Sequence, residues 1–350
     1  MTFTAEQIAQ LVNGKIEGDP KIVVDSFGKI EEARAGQLAF LANPKYEEYL
    51  YTTNASLVLI NADFILKQKI NSTLVRVPDA YKAFAILLAK YEEMVTRQVQ
   101  GIQQPVYIAK SATYGKDVFI GAFAYLGENV SVGNNTKIFP HVFIGDNAKV
   151  GDNTILHPGV KIYHDCIVGD RVIIHAGTVI GSDGFGFAFQ ADGTPQKIPQ
   201  LGNVIIEDEV EIGGNAALDR ATIGSTVVKK GAKLDNMVHV AHNVEIGSNT
   251  MIAAQVALSG SVKLGKGVMI GGQAGIAGHI HVADGSKINA QAGLGKNLKT
   301  ATSVTGSPAY EYGQAIRNQS LARNLVEMEK RLSDLEKMIK QIYPAKADNT

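Results

Sequence analysis

Eight histidines, His141, His157, His164, His175, His239, His242, His279 and His281, are the side chains here best suited to moving a proton near neutral pH, because imidazole ordinarily titrates at about pH 6.5. One well-placed imidazole suffices for general base catalysis if the substrate is held still and the developing charge finds a donor. Metal binding is the other common use of histidine. The His157, His164 and His175 series is joined by no carboxylate or cysteine pattern, so no metal is expected. The single cysteine, Cys166, excludes an intramolecular disulfide framework and reads as a packed or surface thiol rather than a nucleophile.

The elements that must position these histidines are set by a repeat. From Ile108 every sixth residue is a large apolar one through Tyr114, Ile120 and so on to Ile180; the pattern returns at Ile206, Ile212 and Leu218, shifts phase, and runs from Val228 to Leu294. A helix at 3.6 cannot hold this phase, and a simple alternating strand does not explain it. Short parallel strands joined by tight corners do, each strand turning one aliphatic plug inward. Gly follows the plug at many hexads, with Asn and Asp two or three residues on, residues that tolerate the positive φ of corners. The plugs mark twenty-eight hexads in all.

The repeat also serves as a ruler. His242 is two residues past the plug Val240, which places it on an outer face, and Gly260 follows three hexads later. His279 lies six hexads and one step beyond His242. His239 precedes the plug and competes with His242 only by proximity.

Three segments follow: residues 1–104, a small α/β domain with helix-like Thr4–Val12, strand-like Ser56–Ile60 and helical Ala80–Glu93; 105–307, the repeat region entered at Pro105, with a Gly- and Pro-rich loop at 182–203 that interrupts the hexads; and 308–350, a helical region. In the last, Leu321, Leu325, Met328, Leu332, Leu335, Ile339 and Ile342 alternate four-three spacing, which reads as a coiled-coil helix or, alternatively, a helix lying against the repeat region. Lys plus Arg equals Asp plus Glu at 34 each, so net charge argues for neither a nucleic-acid nor a membrane partner. With no signal-like start and no apolar run of about 20 residues, no transmembrane segment and a cytoplasmic location are expected. Asp183-Gly184-Phe185-Gly186-Phe187 is no phosphate loop, because it lacks the strand-to-helix context and the following Lys-Ser/Thr.

The hexads resemble the hexapeptide-repeat acyltransferase superfamily, which implies a mainly β fold: a left-handed parallel β-helix with an N-terminal α/β domain and a C-terminal coiled-coil helix. The resemblance implies three hexads per coil and a three-sided prism, hence roughly nine coils stacked about 4.8 Å apart. Gly260 then stacks one coil above His242, and His279 lies two coils and one step along nearly the same edge. Phe40-Leu41-Ala42-Asn43-Pro44-Lys45-Tyr46, Gly184-Phe185-Gly186-Phe187, Leu234-Asp235-Asn236 and Val240-Ala241-His242-Asn243 together resemble one family within it, the UDP-3-O-acylglucosamine N-acyltransferases of lipid A biosynthesis. The resemblance spans essentially the whole chain. It implies transfer of an (R)-3-hydroxyacyl chain from acyl carrier protein to the 2-amino group of UDP-3-O-(3-hydroxyacyl)-glucosamine. A thioester is already activated, so no cofactor is implied.

By the same resemblance His242 is the general base, Gly260 supplies an oxyanion-hole N–H, and Asp235, from this chain or a neighbouring subunit, orients the imidazole. His279 and Asn236 help to bind substrate. Phe40 and Tyr46 contact the uracil, with Asn43 hydrogen-bonding nearby; base stacking contributes about 1–3 kcal/mol. Read without the family, Phe40 and Tyr46 are better taken as core residues of the small domain, and Gly260 and Asp235 could equally be corner residues. A homotrimer is implied, its helices bundled in parallel. The acidic carrier protein calls for basic docking residues, for which Lys296, Lys299, Arg317 and Arg323 are candidates. Two other readings are an O-acyltransferase of the same pathway, which lacks this kind of N-terminal domain, and a noncatalytic trimeric scaffold, which needs no Ala-His-Asn motif.

Overall fold

The computed structural model describes residues 2–95, 99–307 and 310–342 and divides into two compact units, 1–98 and 99–350. In the first unit a five-stranded sheet runs Lys15–Glu17, Thr73–Val77, Leu57–Asn61, Gln37–Leu41, Ser26–Phe27, parallel except at its Lys15–Glu17 edge. Leu57, Val58, Leu59 and Ile60 are fully buried, as a central strand covered on both faces requires. Helices α1 (Ala5–Leu11) and α3 (Ala80–Val95) pack on one face, and α2 (Glu47–Leu50) on the other. Thr4 starts α1 with a reciprocal cap: its hydroxyl accepts the Gln7 N–H while the Gln7 side chain accepts the Thr4 N–H.

The second unit is a three-sided parallel β-solenoid whose faces carry eleven, ten and nine strands. Most strands are two residues long, and in regular coils each pairs with the strand eighteen residues on, as Val240 does with Leu258 and Leu258 with Ile276. The stack is about a coil deeper than the hexad count implies. Gly101–Ile102, ahead of Pro105, already pairs with Phe119–Ile120, and Ser303–Val304 pairs at the far end. The plugs fill the prism; Ile120, Leu126, Ile138, Ile144, Leu156 and Ile162 are fully buried, and each contributes about 1.5–3 kcal/mol. Buried Thr136, Thr154 and Thr250 donate to carbonyls of the next coil. Among the described residues no buried side-chain polar atom lacks a partner.

The corners divide their labour differently from the sequence expectation. Positive φ falls at the third residue after the plug, at Asn129, Asn147, Asn153, Asn243 and Asn249 among others. In the regular coils glycine directly after the plug serves close approach instead: a β-carbon on Gly247 would come 2.2 Å from the Gly265 carbonyl oxygen in the next coil.

Regularity breaks where Ile180 pairs with Leu218 instead of a residue eighteen on. The extruded segment 184–202 is an antiparallel hairpin, Phe187–Phe189 against Pro195–Lys197, where only a loop was expected. At its root Val179–Asp183 pairs with Ala217–Arg220 through a register shift between Ile180 and Ser182, which among the described pairings occurs nowhere else in the solenoid. Such bulges re-aim side chains.

The C-terminal helical region is broken where the heptads predict continuity. Helix α4 (Tyr312–Arg323) ends at Asn324 and α5 (Leu325–Ile342) begins after it, as suits a residue that competes poorly inside a helix. Leu325, Leu332, Leu335 and Ile339 of α5 are all more than half exposed. Pro308, expected to mark the start of this region, and 343–350 lie outside the described residues. Among the described residues no helix is long and apolar enough to cross a membrane.

Candidate active site

His242 follows the strand His239–Val240 on the ten-strand face, at a corner of the prism, and is half-buried. Its ring lies between two glycines. A β-carbon added at Gly184 would sit 2.8 Å from the His242 Cβ, and one at Gly260 would sit 2.6 Å from Nε2 and 2.7 Å from Cε1. Only glycine lets backbone approach the imidazole so closely from the hairpin root and the next coil. Ser261 N–H, donating to the His242 carbonyl at 2.9 Å, fixes the coil spacing.

The tautomer follows from Asn243. Its Nδ2 donates to the Ile223 carbonyl at 2.9 Å and its Oδ1 accepts the Thr222 N–H at 3.1 Å, so the oxygen can only accept. That oxygen is 3.2 Å from His242 Nδ1. Nδ1 therefore carries the proton, and Nε2, beside Gly260, offers a lone pair. Thr222 continues the chain by donating to the buried Gln200 at 2.8 Å, which ties the base to the foot of the hairpin. Asn243→Gly keeps the positive φ of 60° but removes the acceptor. It should lower kcat roughly tenfold to a hundredfold with the fold intact, checked by steady-state assay beside circular dichroism; an unchanged kcat would remove Asn243 from the site.

Elsewhere on the prism the N–H two residues past a plug is often taken by an Asn or Asp of the next coil, as Lys266 N–H is by Asp284 and Gly214 N–H by Asn236. Above Gly260 stands Gly278, which has no side chain to do this, and the Gly260 N–H meets no acceptor among the described residues. A base and an unused donor thus lie side by side. The Gly260 carbonyl accepts the N–H of the exposed His279 at 3.0 Å, which places His279 one coil further along this edge.

Asp235 and Asn236 are not brought to His242 within the chain. They follow Lys233–Leu234 on the eleven-strand face and line a groove there with Met251, Met269, Lys233 and Lys287. Asp235 Oδ1 accepts the Asn236 N–H at 2.7 Å, and the within-chain partner of the imidazole is Asn243 instead. His157 and His175 stack 4.8 Å apart in a ring ladder with Phe139, and burial, reinforced by His175, holds His157 below the usual imidazole value.

In the first unit Phe40 is half-buried and stacks on Phe84 at 4.1 Å, so it is part of the packing against α3. Asn43 caps the turn Pro44–Tyr46 by accepting the Lys45 N–H at 3.1 Å, and Tyr46 is 45% exposed. Lys296, Lys299, Arg317 and Arg323 are exposed.

Sequence reasoning missed Gly184 as a wall of the site, Asn243 as the orienting group, and Asp219. The signal for Asp219 was present: the residue just after the plug is uncharged at Gly145, Tyr163, Gly181, Ala241, Ser259 and Ala277 along this edge, whereas after Leu218 it is charged.

A three-sided stack of hexads with a histidine and a free backbone N–H on one edge has the framework of a hexapeptide-repeat transferase, and the pattern described as bacterial transferase hexapeptide (six repeats) matches residues 147–182. The pattern described as UDP-3-O-(3-hydroxymyristoyl) glucosamine N-acyltransferase, LpxD, matches residues 21–90. A UDP-3-O-acylglucosamine N-acyltransferase from Christiangramia forsetii is 60% identical over 339 residues, covering 97% of this chain and 99% of its own. One from Porphyromonas gingivalis is 55% identical over 342 residues, covering 98% and 97%. The chain belongs to the UDP-3-O-acylglucosamine N-acyltransferase family. Among solved structures, an Arabidopsis UDP-N-acetylglucosamine acyltransferase matches with a TM-score of 0.52 and 18% identity over 71% of this chain and 85% of that one, a likeness of fold.

Proposed function

We propose that the chain transfers a 3-hydroxyacyl group from an acyl carrier protein thioester to the 2-amino group of UDP-3-O-acylglucosamine, with His242 as general base. The observation that carries this reading is the His242 ring held between Gly184 and Gly260, its Nδ1 on Asn243 and its Nε2 beside an unused backbone N–H. The amine nitrogen attacks the thioester carbonyl and Nε2 takes its proton. The carbonyl oxygen becomes an oxyanion facing the Gly260 N–H. Collapse breaks the carbon–sulfur bond, and the imidazolium returns its proton to the leaving thiolate. The thioester brings its own activation, so the reading needs no cofactor.

A cytoplasmic homotrimer is part of the proposal. The exposed leucine row of α5 supports helical association, and the Asp235–Asn236 groove on a different face supports a composite site in which a neighbouring copy brings these groups, and Asp235 in particular, towards His242. His279, further along the same edge, is assigned to substrate. The exposed Lys296, Lys299, Arg317 and Arg323 are assigned to the acidic carrier protein.

The test is to supply a series of 3-hydroxyacyl carrier-protein thioesters with UDP-3-O-acylglucosamine and follow N-acylated product by mass. Product from that acceptor and none from UDP-N-acetylglucosamine is expected; the reverse would favour the O-acyltransferase reading, and neither a scaffold. Uracil recognition is assigned to Phe40, Asn43 and Tyr46. Phe40→Ala would also disturb the packing on Phe84, so the exposed Tyr46 is the cleaner probe. Tyr46→Ala should raise the KM for the UDP sugar about tenfold with little change in kcat, since stacking is largely uniform binding. An unchanged KM would count against this assignment.

A further inference from the structure

Among the described residues Asp219 is the one carboxylate that the fold buries. Its neighbour Arg220 is the one buried cation, yet it does not neutralise it. The Arg220 guanidinium turns away, donating from Nε to the Gly181 carbonyl at 2.8 Å and from Nη2 to the His164 carbonyl at 2.9 Å, with Nη1 against the His164 ring. Asp219 Oδ1 instead accepts the Ser182 hydroxyl at 2.9 Å, at the register shift that starts the hairpin. Its Oδ2 faces His239 Nε2 at 3.7 Å, too far for a hydrogen bond but close enough for charge.

Asp219 precedes the strand of His239 and His242 in the ten-strand face, Leu218 pairing with Val240. Burial pushes its carboxyl above the ordinary value; the Ser182 hydrogen bond and the charges of His239 and His242 pull the other way, and Asp183 adds to the rise. Asp183 is itself offset by Lys197 at 2.5 Å. A fold that keeps a costly, unneutralised carboxylate within electrostatic reach of two imidazoles spends stability on a local field.

We propose that Asp219 is a positioning residue for the base: its fixed negative charge stabilises the imidazolium that His242 becomes while it holds the amine's proton, and the neighbouring His239 moderates that charge. No proton passes to Asp219. The one taken from the amine stays on His242 Nε2 until the leaving sulfur receives it. The inference rests on His242 being the base, as proposed above.

Asp219→Asn preserves shape and an acceptor for Ser182. It should lower kcat about tenfold to a hundredfold, leave the KM for the UDP sugar within about twofold, and move the acidic limb of the pH profile of kcat/KM to lower pH. A structural role would lower Tm; this one does not. A carboxyl whose folded value is raised stabilises the fold below its ordinary value and loses that contribution as pH rises through the raised one, so at neutral pH the ionised group is a burden. The Asn variant should therefore melt at or above the wild-type temperature at pH 7–8. His239→Gln, a half-exposed change that removes the other imidazole facing this carboxylate, should move the acidic limb the other way, and it decides the matter if Asp219→Asn does not fold. A limb that stays in place in the folded variants overturns the proposal. His242→Ala, assayed alongside, separates the two failures: retained turnover sinks the base assignment itself, whereas an inactive His242→Ala with unmoved limbs sinks only the role of Asp219.

Discussion

His242→Ala is expected to reduce kcat by about 10²- to 10⁴-fold, the range a positioned general base supplies, while the protein stays folded and still binds the UDP sugar. The side chain is half-buried at a corner outside the packed plugs, with Val240 rather than His242 holding the core. Its loss leaves Asn243 Oδ1 with the Thr222 N–H and so strands no acceptor. Turnover would be measured with a 3-hydroxyacyl carrier-protein thioester, and sugar affinity separately by calorimetry. Full turnover in a folded variant would rule out the mechanism. Loss of both turnover and sugar binding would point to a structural lesion, which the melting temperature would reveal.

Gly260→Ala should be almost as damaging, by a different route. The backbone there is not in the left-handed region, so alanine brings no conformational strain. The added carbon would lie 2.6 Å from Nε2 and 2.7 Å from Cε1, a separation that atoms do not tolerate. The imidazole must swing off Asn243, and the methyl then screens the N–H that faces the oxyanion. Loss of one such donor costs about 10²- to 10³-fold in kcat. Gly293→Ala, where a β-carbon meets nothing within 4 Å, is the control and should leave both fold and rate near wild type. Similar rates for the two alanine variants would show that close packing at Gly260 has no part in catalysis.

The repeat was legible because one apolar residue in six is a long-range signal repeated over most of the chain, and with the three hexads per coil that the family resemblance implies it placed Gly260 against His242 without any coordinates. What the period could not supply was the content of its irregular coil. Ser182, Asp219, Thr222 and Gln200 meet only because the hairpin leaves and rejoins the stack with a register shift, and no spacing rule carries across that gap. The orienting partner illustrates the same limit: Asn243 is adjacent in sequence, but its role depends on Thr222 and Ile223, twenty-one and twenty residues back, beyond the regular eighteen-residue spacing. In the terminal helical region the heptads gave the apolar face and missed the break at Asn324, because apolar spacing does not register a single poor helix former.

Because each coil pairs only with the coils before and after it, the solenoid is nearly one-dimensional as a folding problem. Regular contacts close loops of about eighteen residues, so order can spread from coil to coil without a distant partner having to be found first. The ends of such a stack fray before its middle. On the ten-strand face three further strands, Ala257–Leu258, Gly275–Ile276 and Gly293–Leu294, lie between the strand of His242 and the C-terminal end, so the base is shielded from fraying at that end by coils whose own contribution to chemistry can be as little as a single amide.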